Sequence, residues 1–90
     1  MNTRYRKHAD LRLTALEGEG VALHLGSRRY FTVTETGLSI LQAITSPKSF
    51  DEIVAAIIDE YDVDQSLAES SVRAFLDRCV DAALIEEIAT

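Results

Sequence analysis

The sequence predicts an α+β domain in which a three-stranded antiparallel meander is followed by three helices. Three observations carry this. Apolar and polar residues alternate between residues 11 and 33, apolar residues recur at helical spacing from residue 34 onward, and turn residues interrupt the pattern where each element ends. The 90 residues are enough for one small domain and too few for two. Apolar residues make up 47% of the chain and are spread along it, a globular composition that argues against disorder.

The meander comes first. LRLTAL (11–16) places Leu11, Leu13 and Ala15 on one side of a strand, and EGEG (17–20) reads as a turn. VALHL (21–25) then places Val21, Leu23 and Leu25 on one side, which leaves His24 on the polar face. GSR (26–28) is the next turn, and RYFTV (29–33) sets Phe31 and Val33 on one face against Tyr30 and Thr32 on the other. In a meander only the middle strand is paired twice, so RYFTV is an edge. It lacks any proline or acidic residue of the kind that blunts an exposed edge.

From Thr34 the period becomes helical. Thr34 is placed as N-cap, with Glu35 in the first turn where the helix dipole favours an anion. Gly37, Leu38, Ile40, Leu41 and Ile44 share one side. Glycine inside a helix costs up to about 1 kcal/mol against alanine, so Gly37 on that side indicates either another backbone passing close by or a tolerated residue in a frayed first turn. SPKS (46–49) ends this helix. Ser49 with Glu52 forms an S-x-x-E capping box, and Phe50, Ile53, Val54, Ile57, Ile58 and Tyr61 make the core-facing stripe of a second helix. After a break from Asp62 to Ser66, Ser66 with Glu69 offers another capping box. The third helix runs to about Ala82, with Val72, Phe75, Leu76, Cys79, Val80 and Ala83 on a wide apolar face and Arg73, Asp77, Arg78 and Asp81 opposite. LIEEI (84–88) reads equally as a short strand or a frayed extension. The expected organisation is a basic N-terminal segment (1–10), a recognition domain (11–86) and a C-terminal tail (87–90).

The formal charge of −6 disfavours nucleic acid as a partner, because phosphate neutralisation supplies most non-specific affinity. The local exception is RYRKH, with Arg4, Arg6, Lys7 and His8, which reads as a solvated tail or as an arm for an acidic partner. A single cysteine, Cys79, excludes an internal disulfide and, with no secretory signal pattern at the N-terminus, points to a reducing, cytoplasmic setting. No apolar run approaches membrane-spanning length, so no membrane partner is expected.

Catalytic signatures are missing. His8 and His24 have no cysteine or second histidine at ligand spacing in the sequence, so no metal site is expected. Cys79 lies on an apolar helix face with no histidine placed to activate it and reads as a buried, inert thiol. Asp51, Glu52, Asp59, Glu60 and Asp62 fall on helix surfaces and ends, where solvation explains them, and no glycine-rich phosphate loop is present. Neither a catalytic residue nor a cofactor is expected, and the chain is read as a non-enzyme.

At this point the residues carry a resemblance. Tyr30-Phe31-Thr32-Val33-Thr34-Glu35-Thr36-Gly37, then Ile40-Leu41, then Phe50-Asp51-Glu52-Ile53-Val54 resemble the PqqD-like family, in which an aromatic pair, an apolar residue and x-x-T-G precede an apolar helix and a T-x-x-E-I-V second helix. Val72, Phe75, Leu76 and Ala83-Leu84-Ile85 resemble its third helix and closing run, over roughly residues 11 to 86. Ala83 stands where the family usually has glycine, and the P-E-G segment of the pyrroloquinoline-quinone branch is missing, which points to the stand-alone members that serve lasso peptides. The resemblance implies a winged-helix-like fold that holds the leader segment of a ribosomally made precursor peptide and presents it to a modifying enzyme or leader protease. It also implies that the leader is added as a strand to the third strand and lies against the third helix. The edge read from the residues is the same one, since strand addition needs free main-chain groups and alternate side-chain pockets.

The expected docking strand is Arg29, Tyr30, Phe31, Thr32 and Val33, preceded by Arg28. The helix wall is either Arg73, Leu76, Asp77 and Val80 or Ala74, Phe75 and Arg78. Two rival readings share the architecture: a winged-helix DNA-binding module, and a domain-swapped or strand-paired homodimer with a structural role. Monomer and homodimer both remain open.

Overall fold

The computed structural model describes residues 3–89, in the order β1 (Thr3–Lys7), β2 (Leu11–Leu16), β3 (Glu19–His24), β4 (Arg29–Thr34), α1 (Glu35–Ala43), β5 (Lys48–Ser49), α2 (Phe50–Glu60), α3 (Gln65–Asp81) and β6 (Ile85–Ala89). The expected meander and the three helices are present, with β2, β3 and β4 as one antiparallel sheet. A second small sheet, in the order β5-β1-β6, joins the two ends of the chain. The expected basic tail is therefore a strand over residues 3–7, and the undecided ending is its antiparallel partner; residues 1, 2 and 90 lie outside the described residues.

The reason is legible in the register. β1 aligns Arg6 with Glu86 and Tyr5 with Glu87, so a basic strand meets an acidic one, and Arg6 Nε donates to Glu86 Oε1 at 3.1 Å. Arg4 likewise donates to Glu52 at 2.9 Å. Strand alternation turns Tyr5 inward between those two arginines, where it is only 2% exposed. Two of the charges that read as an arm for an acidic partner, those of Arg4 and Arg6, are thus matched within the chain.

β3 departs from the expectation in a second way. Its inward residues are Gly20, Ala22 and His24, while Val21 and Leu23 lie on the outer face opposite Thr32 and Tyr30. Helix α1 comes close enough that a Cβ on Gly20 would stand 2.8 Å from Leu38 Cδ1, so the small residues face the helix and the larger ones are displaced outward.

The helix ends are set by local chemistry. Gly37 N–H donates to the Thr34 Oγ1 cap at 3.1 Å. Ser49 and Glu52 form the reciprocal capping box at 2.9 and 3.2 Å. The second expected box, Ser66 with Glu69, is not formed: α3 starts earlier, with Asp64 as N-cap and its carbonyl accepting from Ala68 N–H at 2.9 Å. At the other end Leu84 N–H donates to Cys79 O and Ala83 N–H to Val80 O, a Schellman closure with Ala83 at φ 60° in the left-handed region. Helix and sheets meet over a core that includes Ile40, Leu41, Ile44, Ile53, Val72, Leu76 and Ile85.

Candidate functional site

The hydrogen-bond phase of the meander decides what its free edge offers. Leu16 and Glu19 close a two-residue turn, and at the far end Leu25 N–H donates to Asp10 O at 3.0 Å; both are bonded pairs. Alternation then makes Thr14/Val21 and Arg12/Leu23 the other bonded pairs of that hairpin, leaving the main-chain groups of Gly20, Ala22 and His24 to pair with Val33, Phe31 and Arg29. What faces away from the sheet is the main chain of Tyr30 and Thr32. Among the described residues β4 pairs with β3 alone, so these groups have no strand partner.

Beside this edge runs a groove of about 400 Å³. Phe31, Thr32, Val33 and Thr34 of β4 form one wall; Phe75, Arg78 and Cys79 of α3 and its C-cap Ala82 form the other, with Leu84 beyond them. The α3 residues stand at i, i+3, i+4 and i+7, one stripe of the helix. Among the described residues its ionisable lining groups are Arg78 and Cys79. Burial pushes the Cys79 thiol up to about 11, which keeps it protonated and unreactive at neutral pH. Arg78 is exposed and, among the described residues, forms no ion pair.

Of the two helix faces left open by the sequence, Phe75 and Arg78 line the groove and Ala74 does not. Leu76 is fully buried core and Val80 packs half-buried against it. Arg73 points to the other sheet: it donates to the Tyr5 hydroxyl at 2.7 Å, lies 4.3 Å over the Phe50 ring and meets Asp77 at 3.8 Å. The Tyr5 hydrogen bond is the first cause of a raised Arg73 pKa, so this arginine stays charged in a structural role. On β4, Arg29 lies 5.4 Å over the Phe31 ring, Tyr30 is 70% exposed on the outer face, and Arg28 occupies the preceding turn at φ 59°. Thr34, Cys79, Ala82 and Leu84 line the groove without having been expected there; for Cys79 and Ala82 the i+4 and i+7 spacing from Phe75 was the available signal.

A second juxtaposition was not visible in the sequence. His8, Asp10 and His24 converge, with the three candidate ligand atoms within 4.8 Å of one another and the two rings 4.6 Å apart. His24 is therefore half-buried beside His8 and not on a solvent-facing polar side as expected. Both Nδ1 atoms already accept main-chain N–H groups, His8 from Asp10 at 3.0 Å and His24 from Ser27 at 3.1 Å. With both Nδ1 atoms engaged in this way, the cluster serves the two turns.

Of the two edges of the β2-β3-β4 sheet, that of β4 lies beside the apolar groove, whose ionisable lining among the described residues is one arginine and one protonated thiol. The chain belongs to the PqqD family: the family described as coenzyme PQQ synthesis protein D matches residues 19–85. Among solved structures it is similar to TbiB1 in complex with the TbiA(beta) leader peptide, at 30% identity and a TM-score of 0.80, covering 94% of this chain and 99% of that one. It also resembles a lasso peptide synthetase B1 complexed with the leader peptide, at 18% identity and a TM-score of 0.75, over 91% of this chain and 96% of the other; that likeness speaks for the fold alone. No curated protein matches the chain. No helix among the described residues is long and apolar enough to cross a membrane.

Proposed function

We propose that this chain holds the leader segment of a ribosomally made precursor peptide as a strand added to β4, and presents it, unmodified, to a modifying enzyme or leader protease in the cytoplasm. One observation carries the reading: the free main-chain groups of Tyr30 and Thr32 lie along an unpaired edge directly beside the apolar groove under α3. Strand addition draws affinity from such groups and specificity from the pockets that alternate leader side chains enter. Family membership supports the reading, as does the similarity to TbiB1 with its leader peptide. The non-enzyme role is supported by a groove lining that, among the described residues, has neither carboxylate nor imidazole.

The test is hydrogen exchange with two probes, the TbiA(beta) leader peptide and the leader of any precursor peptide found encoded near this chain. The amides of Tyr30 and Thr32 should exchange quickly in the free protein and become protected with peptide, while those of Phe31 and Val33 are protected in both. Unchanged exchange at Tyr30 and Thr32 in a saturated complex removes strand addition. A mass change in the peptide after incubation with this protein alone removes the non-enzyme reading. Binding of duplex DNA in place of both peptides would favour the winged-helix alternative.

A further inference from the structure

Gly37 lies in the first turn of α1, buried, immediately after the docking strand ends. What comes close to it is the Phe75 ring and not another backbone. A Cβ built on Gly37 would stand 2.8 Å from Phe75 Cε1 and 3.0 Å from Cζ, with Thr34 Oγ1 at 3.4 Å. Side-chain atoms essentially never approach that closely, so any larger residue at this position must move the ring. Thr34 and the main chain of α1 are tied by the cap hydrogen bond, and the buried core lies behind the helix. The open side of Phe75 is the groove it lines.

We infer that Gly37 is a positioning residue for leader recognition: its missing side chain lets Phe75 lie back against α1, and that placement keeps the groove open. This rests on the proposed leader-binding reading and extends it to a residue that touches no peptide. The alternative explanation, a glycine kept for backbone freedom, does not apply here. Gly37 is in a regular helix and is not among the residues at positive φ, and alanine is the better helix former there. An alanine at this position therefore favours the helix while closing the groove, which separates the structural effect from the binding effect.

The experiment is a double-mutant cycle with Gly37→Ala and Phe75→Leu, read by anisotropy of the labelled leader probe that binds wild type, by thermal unfolding, and by the NMR shifts of the Phe75 ring and the Ala82 methyl. G37A should remain folded, shift both resonances and bind at least tenfold more weakly. In the F75L background, where the ring is gone, adding G37A should change affinity less than threefold. Wild-type affinity for G37A, or an equal loss from G37A in both backgrounds, overturns the inference while leaving leader binding intact. If wild type binds neither probe, the leader reading itself falls; unmoved Phe75 and Ala82 resonances in G37A would overturn the positioning independently of any peptide.

Discussion

Proline substitution along β4 tests the proposed docking edge, because the hydrogen-bond phase assigns opposite outcomes to adjacent residues. Thr32 N–H faces away from the sheet, so Thr32→Pro removes a donor that the fold does not use; edge strands accept proline at such positions. In a complex it leaves one leader carbonyl without its partner, a loss of about 1 to 3 kcal/mol, or roughly five- to 150-fold in Kd. Phe31 N–H instead pairs inward with Ala22, whose residue is wholly buried. Phe31→Pro breaks that bond and strands a buried carbonyl, at about 1 to 3 kcal/mol. A domain of this size has roughly 0.05 to 0.15 kcal/mol of stability per residue, so such a loss is a large share of the whole. Thr32→Ala and Phe31→Ala serve as side-chain controls. The assays are thermal unfolding by circular dichroism and anisotropy of the labelled leader peptide. T32P should stay folded and lose affinity relative to T32A; F31P should lose much of its stability relative to F31A. If T32P is folded and binds as tightly as T32A, the leader does not pair with β4 and the phase argument fails.

Arg78→Glu should weaken leader binding by about 1 to 3 kcal/mol and change its salt dependence, since Arg78 is the cation in the groove; Arg73→Glu should instead lower the melting temperature and leave affinity near wild type, and the reverse pattern would show that the wrong helix face has been assigned. Ala83→Gly removes a left-handed alanine worth about 1 to 2 kcal/mol of strain, offset by about 0.5 to 1 kcal/mol of glycine chain entropy. The two ranges leave a net gain of up to about 1.5 kcal/mol, seen as a rise of a few degrees in melting temperature; a fall would mean that the strain is relieved elsewhere. Glu52 is held below its usual value of 4.5, first by its hydrogen bond from the Ser49 main chain, with help from Arg4 and Lys48. Its contribution is thus fully present above that value and lost as pH falls through the lowered one, so Glu52→Gln should flatten the acid limb of melting temperature against pH. Cys79 should resist iodoacetamide at pH 8 in the native protein and react on unfolding, in keeping with a thiol pushed to about 11 by burial.

Local pattern alone determined most of the elements of this protein. Alternation marked β2 and β4, one at its observed bounds and the other one residue short, because a strand with one buried face repeats every two residues. The Thr34 cap and the Ser49/Glu52 box were legible because capping is a contact within four residues. Even the unpaired status of β4 follows from its place at the end of a meander. Tertiary structure alone decided what depends on partners distant in the chain. Arg-Tyr-Arg near the N-terminus carries too little apolar pattern to announce a strand, and becomes one because Glu86 and Glu87 lie alongside it. The inward face of β3 went to Gly20 and Ala22 because α1 packs close, although Val21 and Leu23 are the more hydrophobic pair. Which main-chain groups point outward from β4 depends on the phase of the hairpin before it, and a period of two in side chains is compatible with either phase. Which stripe of α3 faces the groove was settled by the opposite side of the helix, where Arg73 is held between Tyr5 and Phe50 and turns Phe75, Arg78, Cys79 and Ala82 toward the open edge.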